Sequence, residues 1–362
     1  MEWTHPLPHG FNRATVCNER AESPMKKVSV LGIDLAKQVF QVHGVDERGH
    51  RSVSKRLRRA SLPGFIAQLP PCLIGMEACG SAHYWARKFQ GYGHEVRLIS
   101  PQFVKPYVKS QKNDANDAEA ICEAVSRPHM RFVPIKTPEQ QDMQAEHRAR
   151  QLLVKQRTAL VNQIRGLLGE YGIVIAQGMT AARKRLPEIL EDADNGLNPS
   201  VRVLFARLHE QVQALDAQIA DSDQAIKQAV HSDERCQRLQ SMDGIGPLIA
   251  TALVAAVGDA QTFSNGRQLA AWLGLVPRQH SSGGKPTLLG ISKRGDRYLR
   301  TLLIHGARAV IYRVKDASSR RALWLKQLIE RRGINRATVA LANKMARIAW
   351  ALLARGEVYR AA

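Results

Sequence analysis

The sequence predicts an α/β domain with a mixed sheet and flanking helices, followed by a mainly helical remainder. Three observations predict it. Strand-like and helix-like segments alternate from Lys27 to Val125, two long helical runs follow, and the last third is rich in Ala, Leu and Arg at helical spacing. At 362 residues the chain is long enough for roughly two domains, with a sizeable core.

The first elements are strands. KVSVLGIDL is β-rich, QVFQVHGVD alternates, DERGH reads as a turn and RSVSKRL as a third strand. LPGFIAQL reads as a short helix. CLIGMEA is an apolar run that ends in Glu77, and SAHYWARKFQGYG is a helix stopped by glycine. HEVRLIS is another strand, and NDANDAEAICEAV is a helix with Asn113 or Asp114 as its N-cap. A hairpin meander feeding βα units suits a mixed sheet covered on both faces.

Pro128 and Pro134 interrupt the chain after this domain. Long-helix composition then runs from about Thr137 to Tyr171 and again from about Ser200 to Val230, joined by the less regular AARKRLPEILEDADNGLNP. Such a pair forms either a helical hairpin that dimerises as a coiled coil or part of an intramolecular bundle. From Cys236 the segment RLQSMDGIGPLIATALVAAVGD resembles a helix-hairpin-helix, with its turn at Gly244 and Gly246. Amides at such a turn can hold a phosphate without reading bases, and the same pattern also serves as a plain structural turn. A Gly-, Ser- and basic-rich loop follows, then amphipathic helices with basic faces. The expected domains are therefore a disordered extension over 1–26, an α/β domain over 27–135, a helical hairpin over 136–235 and a helical domain over 236–362. Met25 stands directly before the first strand and is a candidate start.

Charge narrows the class of partner. Lys and Arg number 53 against 32 Asp and Glu, a net charge of +21. From Ser282 to Ala362 there are 18 basic and 4 acidic residues, so +14 of that excess lies in the last 81. A basic segment of this density implies a polyanion, most simply nucleic acid. The five cysteines, Cys17, Cys72, Cys79, Cys122 and Cys236, are scattered and lack zinc spacing, which points to a reducing cytoplasm. No apolar run approaches the ~20 residues of a membrane span.

Four carboxylates carry the candidate chemistry. Asp34 in LGIDLAK and Glu77 in IGMEACG each end an apolar run, and Asp114 and Asp117 in KNDANDAEA share one face of a helix. Carboxylates brought together from separate elements supply hard oxygen ligands for Mg²⁺ or Mn²⁺, and two such ions can clamp the oxygens of a phosphodiester displacement. The second candidate is the loop Ser281-Ser282-Gly283-Gly284-Lys285. A serine beside glycines is sterically open, and Lys285, Lys293, Arg294, Arg297 and Arg300 supply cations for a phosphate. From the residues alone this loop reads as readily as a turn whose basic neighbours hold a nucleic-acid backbone.

Taken together, GIDLAK, GMEACG, KNDANDAEAI, DGIGPLIATALVAAVGD and WLGLVPRQHSSGGKPTLLGISKRGDRYLRTLLIHGA resemble the DEDD transposases of bacterial insertion sequences. More narrowly they resemble the one-ten family, described as bridge-RNA-guided recombinases. The resemblance spans about Lys27 to Gly356. It implies an RNase H-like (RuvC-like) N-terminal domain, a coiled-coil middle and a C-terminal transposase domain. It places the metal ligands at Asp34, Glu77, Asp114 and Asp117, and it maps the family's nucleophile to Ser282, with Ser281 as the adjacent competitor. It further implies DNA and a structured guide RNA as partners, and a dimer or tetramer whose composite active site draws domains from different subunits. Two other readings share these residues. One is a RuvC-like nuclease that hydrolyses DNA without a serine, and the other is a non-catalytic nucleic-acid scaffold.

Overall fold

The computed structural model describes residues 28–109, 113–313 and 319–360; the extension expected over 1–26 lies outside them. The chain forms two compact units, Met1–Ile135 and Lys136–Ala362.

The first unit is built on a six-stranded mixed sheet. Its strands are β1 (Val30–Asp34), β2 (Val39–Val45), β3 (Arg51–Arg58), β4 (Leu73–Glu77), β5 (Glu95–Ile99) and β6 (Phe132–Val133), in the order β3-β2-β1-β4-β5-β6. The first three form an antiparallel meander, while β4 and β5 run parallel to β1. Helices α1 (Leu62–Ala67) and α2 (Ala82–Gln90) cover one face, and α3 (Pro101–Val104) and α4 (Asp114–Val125) lie on the other.

Alternation along the strands sorts the side chains between these faces. Leu31, Ile33, Ile74 and Met76 are fully buried in the core shared with α1 and α2. Gly32 and Gly75, cross-strand partners in the β1–β4 pair, point the other way, toward α4. A Cβ on Gly32 would lie 2.5 Å from the Cys122 amide nitrogen and closer still to the Ala118 carbonyl oxygen, and one on Gly75 would lie 2.8 Å from Val125 Cβ. These bare positions let the α4 backbone rest directly on β1 and let its Val125 side chain seat against β4.

The second unit begins with two long helices, α5 (Pro138–Gly169) and α7 (Pro199–His231). A capping box at Thr137 and Gln140 starts α5. Arg150 pairs with Asp223 at 2.7 Å and Arg157 with Asp216 at 2.6 Å. Each step of seven residues forward on α5 is seven back on α7, so the pair is antiparallel with a heptad register. The connector expected to be irregular instead contains α6 (Met179–Glu191), which buries Ala182, Leu186 and Ile189 against the hairpin. Pro187 sits inside that helix and had masked its periodicity.

The remainder is a helical core of α8 (Glu234–Gln240), α9 (Pro247–Val257), α10 (Gly266–Trp272), α11 (Arg297–Arg313), α12 (Arg320–Arg332) and α13 (Ile334–Arg355). Between α10 and α11 the chain forms a two-stranded antiparallel hairpin, β7 (Pro277–Gln279) and β8 (Leu288–Ile291), where a Gly-, Ser- and basic-rich loop with a short turn was expected. The long hairpin is tied to this core through His147 on α5. Thr251 spends its hydroxyl proton on the Pro247 carbonyl at 2.8 Å, so its oxygen accepts from His147 Nε2 at 2.9 Å. His147 Nδ1 then accepts from the Tyr298 hydroxyl at 3.0 Å. Burial first, and then the Arg150 charge, hold the imidazole's pKa down at about 4.

Two predictions follow from this packing. Gly32→Ala should cost about 2–3 kcal/mol in urea unfolding because the α4 backbone must retreat. Gly64→Ala, where an added Cβ meets nothing within 4 Å, should cost nothing. His147 binds its proton more weakly when folded than at its ordinary value of 6.5. Its neutral form therefore contributes fully above pH 6.5, and stability declines as pH falls toward 4, by on the order of 3 kcal/mol in total. His147→Gln should flatten that part of the stability–pH curve.

Candidate functional site

Asp34 and Glu77 are the last residues of β1 and β4. The parallel register pairs Gly32 with Gly75 and Ile33 with Met76, so the next step sets Asp34 beside Glu77. Both lie two residues beyond a glycine that faces α4, and so both point to that face. They are half-buried. Burial first, and then the charges of Glu77 and Asp34, push the Cys79 thiol's pKa up, which places one thiol within the field of both carboxylates. After Glu77 the chain turns sharply. The Cys79 amide bonds the Glu77 carbonyl at 2.8 Å, and Ser81 takes a left-handed φ of 68° before α2. The carboxyl ends of parallel strands are the usual place for a ligand site in such a sheet.

The helix that carries the other two acids runs back along β1. Cys122 Sγ contacts the Val30 carbonyl at 3.7 Å, and one turn earlier Ala118 crowds Gly32. Continuing in that direction, Asp117 and Asp114 lead toward the end of the strand that holds Asp34. Asn113 is the N-cap, accepting from the Ala115 amide at 3.0 Å, so Asp114 and Asp117 occupy the first turn. Asp117 is half-buried and Asp114 exposed. Among the described residues no group of three Asp, Glu, His or Cys side chains could by itself hold a metal ion. The structure thus joins Asp34 with Glu77 and sets the helical pair on the same face without closing a cage. The donors fit Mg²⁺ or Mn²⁺ all the same: they are hard carboxylate oxygens at a half-open site, and Mg²⁺ keeps several waters while taking one or two protein carboxylates.

The serine loop belongs to the second unit. Ser282 and Lys285 close a two-residue turn, with the Lys285 amide bonding the Ser282 carbonyl at 3.0 Å. Gly283 and Gly284 between them have φ of 56° and 75°, the signature of a type I′ hairpin. The two serines differ in their bonds. Ser281 Oγ accepts from Gln279 Nε2 at 2.8 Å and from the Thr287 amide at 3.3 Å. The Ser282 hydroxyl makes no hydrogen bond among the described residues and stands exposed beside the tip of the hairpin.

A two-stranded hairpin is only marginally stable alone, and this one is fixed at its base. There the chain crosses itself. A Cβ on Gly274 would lie 2.6 Å from the Arg294 amide nitrogen, and one on Gly295 would overlap the Trp272 carbonyl. Lys285, Lys293, Arg294 and Arg297 are exposed around the hairpin, and Lys293 takes a left-handed φ of 55°. Arg300 differs from the other cations that the sequence offered for a phosphate. It is buried, and its guanidinium donates to the carbonyls of Leu273 at 3.0 Å and Arg294 at 2.9 Å, closing the crossing from within. Gly244 has a φ of 87° and packs against Val310 and Gly306, whereas Gly246 caps α9 with open space beside it. The hairpin itself was missed in the sequence, although a Gly-Gly pair between short β-prone runs is its signal.

The sequence profile of the transposase IS116/IS110/IS902 family matches residues 236–323, and a DEDD transposase profile of the IS110 type matches residues 31–173. A probable family 20 transposase of Pseudomonas aeruginosa is 54% identical over 92% of this chain and 99% of its own length. The chain belongs to the IS116/IS110/IS902 transposase family. The transposase for insertion sequence element IS1111A of Coxiella burnetii is 52% identical over 98% of both chains. The transposase for element IS1328 of Yersinia enterocolitica is 44% identical over 92% of this chain and 99% of its own. This protein is therefore an insertion-sequence transposase, an enzyme that acts on DNA, and its mixed six-stranded sheet is consistent with an RNase H-like DEDD domain. Transposases of the DEDD type generally use a divalent metal. No helix among the described residues is long and apolar enough to cross a membrane.

The geometry separates two kinds of cation in this transposase. Arg300→Lys should cost about 2 kcal/mol of stability, since two buried carbonyls lose a partner. Lys293→Gly should leave stability unchanged or raise it by up to about 1 kcal/mol, because glycine adopts a positive φ without strain. The same change should weaken DNA binding several-fold in a filter-binding titration.

Proposed function

We propose that this transposase cuts and rejoins DNA through Ser282, with the acidic residues of the first unit holding Mg²⁺ or Mn²⁺ at the scissile phosphate. The observation that carries the reading is the hairpin turn: it leaves the Ser282 hydroxyl exposed and unbonded while Ser281 is spent inside the loop. Ser282 Oγ attacks phosphorus and gives its proton to a carboxylate of the acidic site. A serine–phosphorus bond forms, the bond to one deoxyribose oxygen breaks, and that oxygen leaves with a proton from solvent. Attack by a hydroxyl of another DNA end reverses these events, freeing the serine and joining the strands. A divalent ion held by Asp34 and Glu77, with Asp117 and Asp114 beside them, would supply charge stabilisation at the phosphate oxygens. Lys285, Lys293, Arg294 and Arg297 hold the backbone on either side, and the amides at the Gly244–Gly246 turn hold a further phosphate.

In this reading residues 27–135 are the metal-holding domain, 136–235 the hairpin through which chains associate and 236–362 the serine-bearing domain. The resemblance to guided recombinases supports a structured RNA as target selector, and it supports a dimer or tetramer in which one chain's serine serves another chain's carboxylates. Exposed Leu288 and Leu289 on the serine hairpin suit such an assembly. The reaction belongs in the bacterial cytoplasm, where DNA and reduced thiols are found.

Trapping on a nicked element-end substrate tests the serine. Wild type and Ser281→Ala should give a denaturant-resistant protein–DNA adduct, and Ser282→Ala should give none. Strand cleavage undiminished in Ser282→Ala would replace this mechanism with metal-dependent hydrolysis. Ser282→Ala and Asp34→Asn, each inactive alone, should recover adduct formation when mixed. No recovery would place both halves of the site on one chain.

A further inference from the structure

We propose that the groove bounded by α10, α12 and α13 in the second unit binds single-stranded DNA. No part of the mechanism above uses this groove. Its volume is about 1600 Å³, and much of its floor is apolar, formed by exposed Val358 and half-buried Ile348 and Trp350 over the buried Leu341, Met345 and Leu352. The rim is cationic. Arg267 on α10 and Arg347 on α13 flank the point where the two helices touch, since Gly266 packs against the Arg347 backbone. Both side chains are exposed, as is Arg360 further along, and none of the three makes an ion pair among the described residues. The acids of the lining are already neutralised, Asp243 by Arg321 and Glu357 by Arg355. Trp324 forms one wall, with the Lys344 ammonium 4.8 Å above its ring.

Charge complementarity selects a polyanion, and the floor selects its form. A duplex keeps its bases stacked inside and would meet the rim with phosphates while leaving the apolar floor uncovered. A single strand offers phosphates to the rim and base faces to the apolar floor, the combination by which single strands are held. RNA would add a 2′-hydroxyl to each nucleotide, which an apolar floor would desolvate without return. Strand exchange on DNA exposes such a single strand for as long as one end is cut.

Fluorescence anisotropy in the full chain tests this, in a Ser282→Ala background so that the result does not depend on the serine chemistry. The probes are a labelled single-stranded DNA about 20 nucleotides long, the matched RNA and the duplex. R267E/R347E should weaken single-stranded DNA at least tenfold and lower the slope of log affinity against log salt by about 1.4. The control R331E/R332E makes the same change in net charge at exposed positions at the end of α12, outside the groove, and should weaken it less than threefold. Equal losses in the two variants would reduce the effect to net charge and overturn the proposal. So would a larger loss for the RNA or the duplex than for single-stranded DNA. R267Q/R347Q provides the same comparison if the reversal disturbs the circular dichroism spectrum, and an affinity equal to wild type there would also overturn it.

Discussion

Between Gly32 and the backbone of α4 there is no room for a single methyl group, and at Gly75 one strand over the Val125 side chain of the same helix fills the space a methyl would need. The geometry of the acidic site rests on that closeness. The two glycines are cross-strand partners, each followed two residues later by a carboxylate at the end of its strand. A helix can lie flat on those strands only if both positions are bare. Once it does, its first turn leads toward the strand ends, and the helical acids share a face with the strand acids. The motifs Gly-Ile-Asp and Gly-Met-Glu are therefore one device, in which the glycine seats the helix and the acid two residues on uses the space the helix creates.

The serine half depends on a different kind of tightness. Its hairpin carries few side chains that pack on anything, and Leu288 and Leu289 lie open to solvent. What holds it is the crossing at its base, where Gly274 and Gly295 touch backbone directly and Arg300 ties two carbonyls together. A rigid base with an exposed tip keeps the Ser282 hydroxyl positioned and accessible, as the proposed serine chemistry requires. The left-handed Lys293 beside this crossing is a strained cation, at the kind of place where strain accompanies function.

Much of this was legible in the sequence. The alternation from Lys27 to Val125 specified the succession of five strands and their helices along the chain, though not the short β6 at Phe132–Val133, and the acidic contexts specified which residues end strands and which open a helix. The less legible parts share a physical reason: each depends on contacts between segments far apart in sequence. Arg300 resembles its basic neighbours until the fold brings two carbonyls to its guanidinium. Ser281 and Ser282 look alike until Gln279 and Thr287 arrive to bond one of them. Helix α6 hid behind Pro187, whose missing amide the helix tolerates. The groove of α10, α12 and α13 collects Arg267, Arg347 and Arg360 from positions whose spacing carries no pattern.

The central claim is that Asp34 and Glu77, side by side at the ends of two parallel strands, form the metal-holding pair of this transposase. Anomalous diffraction from crystals of the protein grown with Mn²⁺ tests it most directly. A manganese peak touching carboxylate oxygens of both Asp34 and Glu77 is the expected result. Manganese bound elsewhere, with neither carboxylate in contact, would contradict it.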